Sequence, residues 1–255
     1  LDGRGSRGVY YIKNKNQLFY FMKNSFGKKR NKSLILQKFL KGIQISSETL
    51  VVNKKDFTIL SERNYDDTKH LYPNIIENGG NIPFKPNFQT KVKIHKEIKR
   101  LIKLMRVNNF PLKCDLILKN QKIYFLEASP RFGGGFVASH VSKELYGLNF
   151  LETYLKILLG NKIHKINFKF KNKFSSIRFV ILNKKGKVKK IEYFLLKNKD
   201  IYFSKITMNK KIKDNILGVY SHADRIGSVI IITKQKKNSV KIANNFIKKV
   251  KIDLI

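Results

Sequence analysis

The chain has no tryptophan, one cysteine, five prolines, and only 17 acidic residues against 54 basic ones. A single cysteine, Cys114, excludes an internal disulfide framework and a cysteine-cluster metal site, and it fits a reducing, cytoplasmic setting. Beside Asp115, its expected role is that of a small buried filler. No run of about 18 apolar residues occurs, so no segment reads as a membrane-spanning helix. No charged-then-apolar leader opens the chain, which leaves secretion and a membrane partner without support. The sequence starts at Leu1, directly in a glycine-rich stretch, with no strand or cap before it. An N-terminal portion is therefore expected to be missing.

What is present is a globular composition. The 255 residues are 42% hydrophobic, ample for a buried core and well outside the disordered class. A net charge of +37 points towards nucleic acid. Arginine argues otherwise: only nine of the basic residues are arginine, and 45 are lysine. With abundant Asn, Ile and Phe, that profile reads as AT-biased coding that places lysine on every solvated surface. No stripe of interleaved aromatics forms a stacking platform. Small anionic substrates, rather than nucleic acid, are the partners this charge suits; self-association into a homo-oligomer is left open.

Strands are expected at residues 9–12, 34–40, 44–52 and 57–62, and helices at 14–24, 89–107, 136–146 and 150–159. From Asn161 the text turns into alternating β runs at 166–170, 176–182, 186–193 and 201–207, then a strand at 227–233 and a helix at 239–250. The expected fold class is α+β: a first unit over residues 1–160 and a small β-rich C-terminal domain over 161–255.

The most informative stretch is CDLILKNQKIYFLEASPRFGGGF, residues 114–136. Two β-prone runs, 112–118 and 123–126, flank a polar turn and predict a hairpin. A three-residue loop centred on Gln121 sets Asp115 opposite Glu127, on one face and about 5 Å apart at Cβ. Like charges so placed repel, so a structural hairpin avoids the pairing, whereas a divalent cation with oxygen ligands makes it an asset. Ser129, two residues on, shares that face, and Arg131 follows at the strand end. The alternative is a pair of carboxylates solvated on an exposed face.

The stretch Gly3-Arg4-Gly5-Ser6-Arg7-Gly8 offers backbone N–H groups, guanidiniums and a hydroxyl, which suits a flap over phosphate oxygens. It lacks the Gly-Lys-Ser/Thr of a Walker loop and the strand–helix frame of a dinucleotide fingerprint. Alone it reads equally as an Arg-Gly tail or a flexible loop. In order along the chain stand this loop, Gln37-Lys38-Phe39-Leu40, Glu62-Arg63, His70 and the hairpin ending in Glu127-Ala128-Ser129-Pro130-Arg131. That order resembles the ATP-grasp superfamily, particularly biotin carboxylase, the carbamoyl phosphate synthetase large subunit and related carboxylate–amine ligases. The resemblance covers residues 1–160, and more loosely the tail around Ser221-His222-Ala223-Asp224-Arg225-Ile226-Gly227.

The resemblance implies an ATP-grasp fold, here its C-terminal portion, using ATP and Mg2+ or Mn2+. It implies that Gly3, Gly5, Ser6, Arg7 and Gly8 close on the ATP phosphates. Gln37, Lys38 and Leu40 would hold adenine, largely through the backbone of Lys38 and Leu40. Gln44 and Glu48 would lie near the ribose, and His70 near the nucleotide. Asp115, Glu127 and Ser129 would be the metal ligands, and Arg131 would steady the phosphorylated intermediate. For Gln37 and Gln44 the alternative is an ordinary strand polar; for His70, a solvated loop residue. Three departures weaken the match. Serine replaces the usual asparagine at Ser129, amides stand where acids are expected at Gln37 and Gln44, and the phosphate-binding lysines of the preceding half are not in this sequence. The implied activity is ATP-dependent joining of a small-molecule carboxylate to an amine through an acyl phosphate. Bicarbonate activation is the second reading, disfavoured by Phe132-Gly133-Gly134-Gly135 after Arg131. A basic nucleic-acid-binding protein, or an inactive remnant, is the third.

Overall fold

The structure, a computed structural model, describes residues 5–26, 33–194 and 198–255. Within them run α1 (Lys15–Phe26), β1 (Ile43–Val52), β2 (Lys55–Arg63), β3 (Gly80–Ile82), α2 (Phe88–Leu104), β4 (Phe110–Lys119) and β5 (Lys122–Ser129). There follow α3 (Ser142–Tyr146), α4 (Phe150–Leu158), β6 (Phe174–Val180), β7 (Lys185–Glu192), β8 (Ile201–Met208), β9 (Asn215–Leu217), β10 (Gly227–Thr233), α5 (Lys236–Lys249) and β11 (Lys251–Leu254). Eight strands form one sheet in the order β5-β4-β1-β2-β3-β6-β10-β8, and three form a second, β11-β7-β9. Every pairing among them is antiparallel.

Two tight turns set the register of the half that matters here. Asn53 and Lys54 join β1 to β2 with φ of 49° and 64°, and Asn120 and Gln121 join β4 to β5 with φ of 48° and 60°. Two successive positive φ values match the strand twist of a two-residue hairpin turn, and asparagine tolerates them well. The β4–β5 loop thus has two residues, not the three expected. Continued unbroken, Lys119↔Lys122 pairing would set Asp115 opposite Leu126. A bulge between Asp115 and Leu116 absorbs Leu126 and restores Asp115↔Glu127. The expected pairing is present, reached by a shorter turn plus one extra residue.

Strand alternation then sends side chains to two different environments. On the back face, Ile45, Leu60, Leu112, Cys114 and Leu116 pack under Ile94 and Ile98 of α2. Helix α2 starts where the Asn87 side chain accepts the Thr90 N–H. Farther along the same face, Val229 and Ile231 are covered by Ala243 and Phe246 of α5. On the front face, Leu50, Val52, Ile59, Ile177, Phe179, Ile230 and Ile232 pack against Val137, Val141, Leu145 and Phe150. Toward β5 that apolar cover stops, and the front face becomes polar at Ser46, Glu48, Lys113 and Asp115. Cys114 is buried, as a filler should be.

Three expected strands are absent. Residues 34–40 run irregularly, with Ile35 66% and Leu36 73% exposed; their β-prone side chains meet no strand to pair with. Residues 9–12 contribute only the Tyr10–Asn74 bridge. Residues 166–170 join no strand, and Lys169 donates to the Tyr146 carbonyl at the end of α3 instead of to a sheet. The sheet also runs through the expected boundary near Asn161, since β3 pairs with β6. Among the described residues no helix is long and apolar enough to cross a membrane.

The β3–β6 joint depends on Gly79. Its φ is +93°, and a Cβ there would collide with the Ile177 carbonyl oxygen. Gly79→Ala is expected to destabilise the protein by at least about 1–3 kcal/mol, the backbone contribution alone. Urea denaturation checks this, and an unchanged midpoint would contradict the close approach.

Candidate functional site

The polar end of the front face is built by register. Asp115 lies opposite Ser46 on β1 and Glu127 on β5, and Lys113 lies opposite Glu48 and Ser129. Lys113 precedes Asp115 by two residues, so both project to the same side. Its ammonium donates to Asp115 Oδ2 at 2.6 Å and to Glu127 Oε1 at 2.9 Å. The two carboxylates are therefore bridged by a lysine.

A second cation enters from β2. Arg63 donates through Nη1 to Asp115 Oδ2 at 2.8 Å and through Nη2 to Glu77 Oε2 at 2.7 Å. Arg225 donates to the Glu77 carbonyl at 2.6 Å and lies 3.3 Å from its Oε2, with the guanidinium stacked 3.7 Å from the Phe179 ring centroid. His222 Nε2 accepts the Glu77 backbone N–H at 3.2 Å and lies 3.1 Å from Ser6 Oγ. The His222 backbone N–H in turn donates to the Gly5 carbonyl at 2.8 Å. A continuous polar chain thus links the glycine loop at 5–6 to Asp115 through residues far apart in sequence. Opposite Lys113, the Glu48 carboxylate accepts the Gly133 N–H at 3.0 and 3.1 Å.

These surroundings set protonation. Burial pushes Glu48 up to about 7, only partly opposed by the Gly133 N–H and the Lys113 charge. Burial also pushes Glu77 upward, but Arg63, by charge and hydrogen bond, together with Arg225 outweighs it and leaves Glu77 at about 2. Burial and then the Arg225 charge lower His222 to about 3, so its imidazole is neutral, as an Nε2 that accepts an N–H requires.

Asp115 is 7% exposed, and its Oδ1 is buried without a hydrogen-bond partner. An orphaned carboxylate oxygen beside a second carboxylate is the chemistry a hard cation satisfies. Among the described residues no three His, Cys, Asp or Glu side chains gather as a complete metal site. Asp115 and Glu127 are the residues here that could hold such an ion, its other ligands coming from a bound molecule.

The sequence profile of the ATP-grasp domain matches residues 1–135. The chain belongs to the ATP-grasp domain family. Solved structures with this fold include phosphoribosylglycinamide synthetase from Anaerococcus prevotii, 18% identical, with a TM-score of 0.72 over 96% of this chain and 68% of that one. L-amino acid ligase from Bacillus licheniformis is 16% identical, with a TM-score of 0.81 over 97% of this chain and 62% of that one. Biotin carboxylase from Campylobacter jejuni, 14% identical, gives 0.71 over 99% of this chain and 56% of that one. Two of these structures are thus matched over less than two thirds of their length. No curated protein matches the sequence.

In this ATP-grasp chain the fold gathers some of the expected site residues and separates others. Asp115, Glu127, Ser129 and Arg131 share the β4–β5 end, with Arg131 Nη2 3.8 Å from Glu127 Oε1. Gly5 and Ser6 dock on His222, Arg7 and Gly8 are exposed, and Gly3 lies outside the described residues. Gln44 is half-buried near the start of β1, on the same face as Glu48. Glu48 itself is 2% exposed, sealed beneath Gly133. Gln37 and Lys38 are exposed and Leu40 half-buried in an irregular segment. His70 instead lines a cavity of about 220 Å³ together with Asp67, Phe179 and Ile247.

Lys113, Arg63, Glu77, His222, Arg225 and Gly133 were not anticipated at the site. Period-two alternation back from Asp115 was the available signal for Lys113. No local pattern joins Glu77 to residues 222–225. Within the glycine triplet only the first is sterically required: a Cβ on Gly133 would strike Glu48 Oε1, whereas Gly134 and Gly135 face open space.

Glu48 supplies a pH test. Its folded pKa exceeds the unfolded value, so between about pH 4.5 and 7 the folded state binds more protons and stability falls as pH rises. His222 acts oppositely, favouring the folded state as pH rises from about 3 to 6.5. Relative to wild type, Glu48→Gln is expected to gain up to about 3 kcal/mol of stability between pH 4.5 and 8. Denaturation at both pH values checks this; a pH-independent difference would contradict the buried acid.

Proposed function

We propose that this chain carries the metal-holding part of an ATP-dependent ligase that joins a small-molecule carboxylate to an amine through an acyl phosphate. One observation carries the reading: in an ATP-grasp chain, Asp115 stands opposite Glu127 with its Oδ1 buried and unpartnered. Asp115 and Glu127, with Ser129 as third ligand, would hold Mg2+ or Mn2+, which when bound neutralises and orients nucleotide phosphates. The glycine loop, through Gly5, Ser6, Arg7 and Gly8, would cover those phosphates, its docking on His222 setting its position. Gln37, Lys38 and Leu40 would border the adenine and Gln44 the ribose. The acceptor carboxylate attacks the γ-phosphorus, ADP leaves, and the amine then attacks the acyl carbon and releases phosphate. Arg131, exposed beside Glu127, would offer its guanidinium to the anion that develops. No side chain needs to act as a base in the phosphoryl step.

Binding of ADP with Mn2+, followed by calorimetry, tests the assignment. Asp115→Asn and Glu127→Gln are each expected to weaken it by at least about tenfold, the scale of one lost charge-assisted contact. Arg131→Ala should leave binding within about threefold while lowering turnover by about a hundredfold or more. Unchanged binding in both carboxylate variants would defeat the metal assignment. Turnover dependent on bicarbonate alone would favour the second acceptor class.

A further inference from the structure

We infer that Lys113 is a tethered counter-cation that prevents the Asp115–Glu127 pair from taking up a divalent ion by itself, making metal capture contingent on the nucleotide phosphates. The inference rests on the preceding reading of the site as a nucleotide–metal centre.

The composition makes this lysine conspicuous. The chain holds 45 lysines, and among the described residues Lys113 is the one that is buried. A surface lysine here carries no information, but a buried ammonium requires compensation by partners. Its partners are the two carboxylates expected to ligate metal, at 2.6 and 2.9 Å. The ammonium therefore occupies the bridging place between them that a shared cation would take.

Charge sets the order of binding. Lys113 and Arg63 contact the Asp115–Glu127 pair directly, and Arg63 also pairs with Glu77, which Arg225 meets in turn, so three anions face three cations. Arg131, 3.8 Å from Glu127, adds further positive potential. A divalent ion arriving alone meets a pair already neutralised and must displace or repel an ammonium. A nucleotide brings its own negative phosphates and reverses that balance. Asp115 Oδ1 remains the free acceptor, because Lys113 and Arg63 both use Oδ2. Lys113, with two of its three N–H donors engaged here, would hold the carboxylates in register until the metal–phosphate group arrives.

The test is Mn2+ titration of the nucleotide-free and ADP-saturated protein, read by electron paramagnetic resonance of the free ion. Wild type should bind Mn2+ at least about tenfold more weakly without ADP than with it. Lys113→Met should tighten nucleotide-free binding by at least about tenfold, and adding Asp115→Asn should erase the gain. Lys113→Arg, which keeps the cation, should stay within about threefold of wild type. Wild-type protein that binds Mn2+ equally well with and without ADP would overturn the inference, with no variant needed. So would a Lys113→Met protein, shown folded by circular dichroism, whose nucleotide-free affinity equals wild type. Those outcomes leave Mn2+–ADP binding intact and refute only the role of Lys113. Failure of the wild type to bind Mn2+–ADP at all would overturn the nucleotide site and this inference with it.

Discussion

Two carboxylates facing each other across a pair of strands repel, and the surroundings of Asp115 and Glu127 answer that constraint. Each needs a cation, and each cation, once buried, needs a further anion. Lys113 answers the pair directly, Arg63 adds a bond to Asp115, Glu77 balances Arg63, and Arg225 balances Glu77. The alternation of sign binds β2, β4, β5, the segment before β3 and residues 222–225 into one network. Ion pairs of this kind add little net stability, but removing one member strands the others. The network therefore acts on geometry more than on stability.

The apolar core does the complementary work. Helices α2 and α5 close the back of the sheet, and the helical segment from Val137 to Leu158 closes most of the front. What stays uncovered is the edge near β5, where Glu127 and Arg131 reach solvent while Asp115 and Lys113 do not. A half-buried pair of this sort has one carboxylate held rigidly and one free to adjust. That asymmetry would suit the proposed binding of a nucleotide entering from one side.

Much of this was legible in the sequence, for reasons that differ by residue. Asp115 and Glu127 stood out because acids are scarce and strand alternation put them on one face. The register was right although the turn was shorter than expected, since the bulge at Leu126 leaves no mark in the pattern. The apolar stretch at 34–40 misled because β-prone side chains show preference, not the presence of a partner strand. Residues 166–170 misled similarly, packing Phe168 against Tyr146 at 4.6 Å without joining a sheet. Lys113 was hidden by the abundance of lysine, and Glu77, His222 and Arg225 by sequence distance. The glycine triplet looked uniform, yet only Gly133 is held by contact, and Glu48 beneath it was read as a ligand-facing polar residue although it is buried.

The proposed role of Asp115 and Glu127 is to hold a phosphate-bound divalent ion. Its most direct test is a diffraction experiment on the protein with Mn2+ and a non-hydrolysable ATP analogue, collected at the manganese absorption edge. An anomalous peak is expected about 2.0–2.3 Å from Asp115 Oδ1 and from a Glu127 carboxylate oxygen, with phosphate oxygens completing its shell. A nucleotide-bound manganese elsewhere, with Lys113 still bridging the two carboxylates, would contradict it.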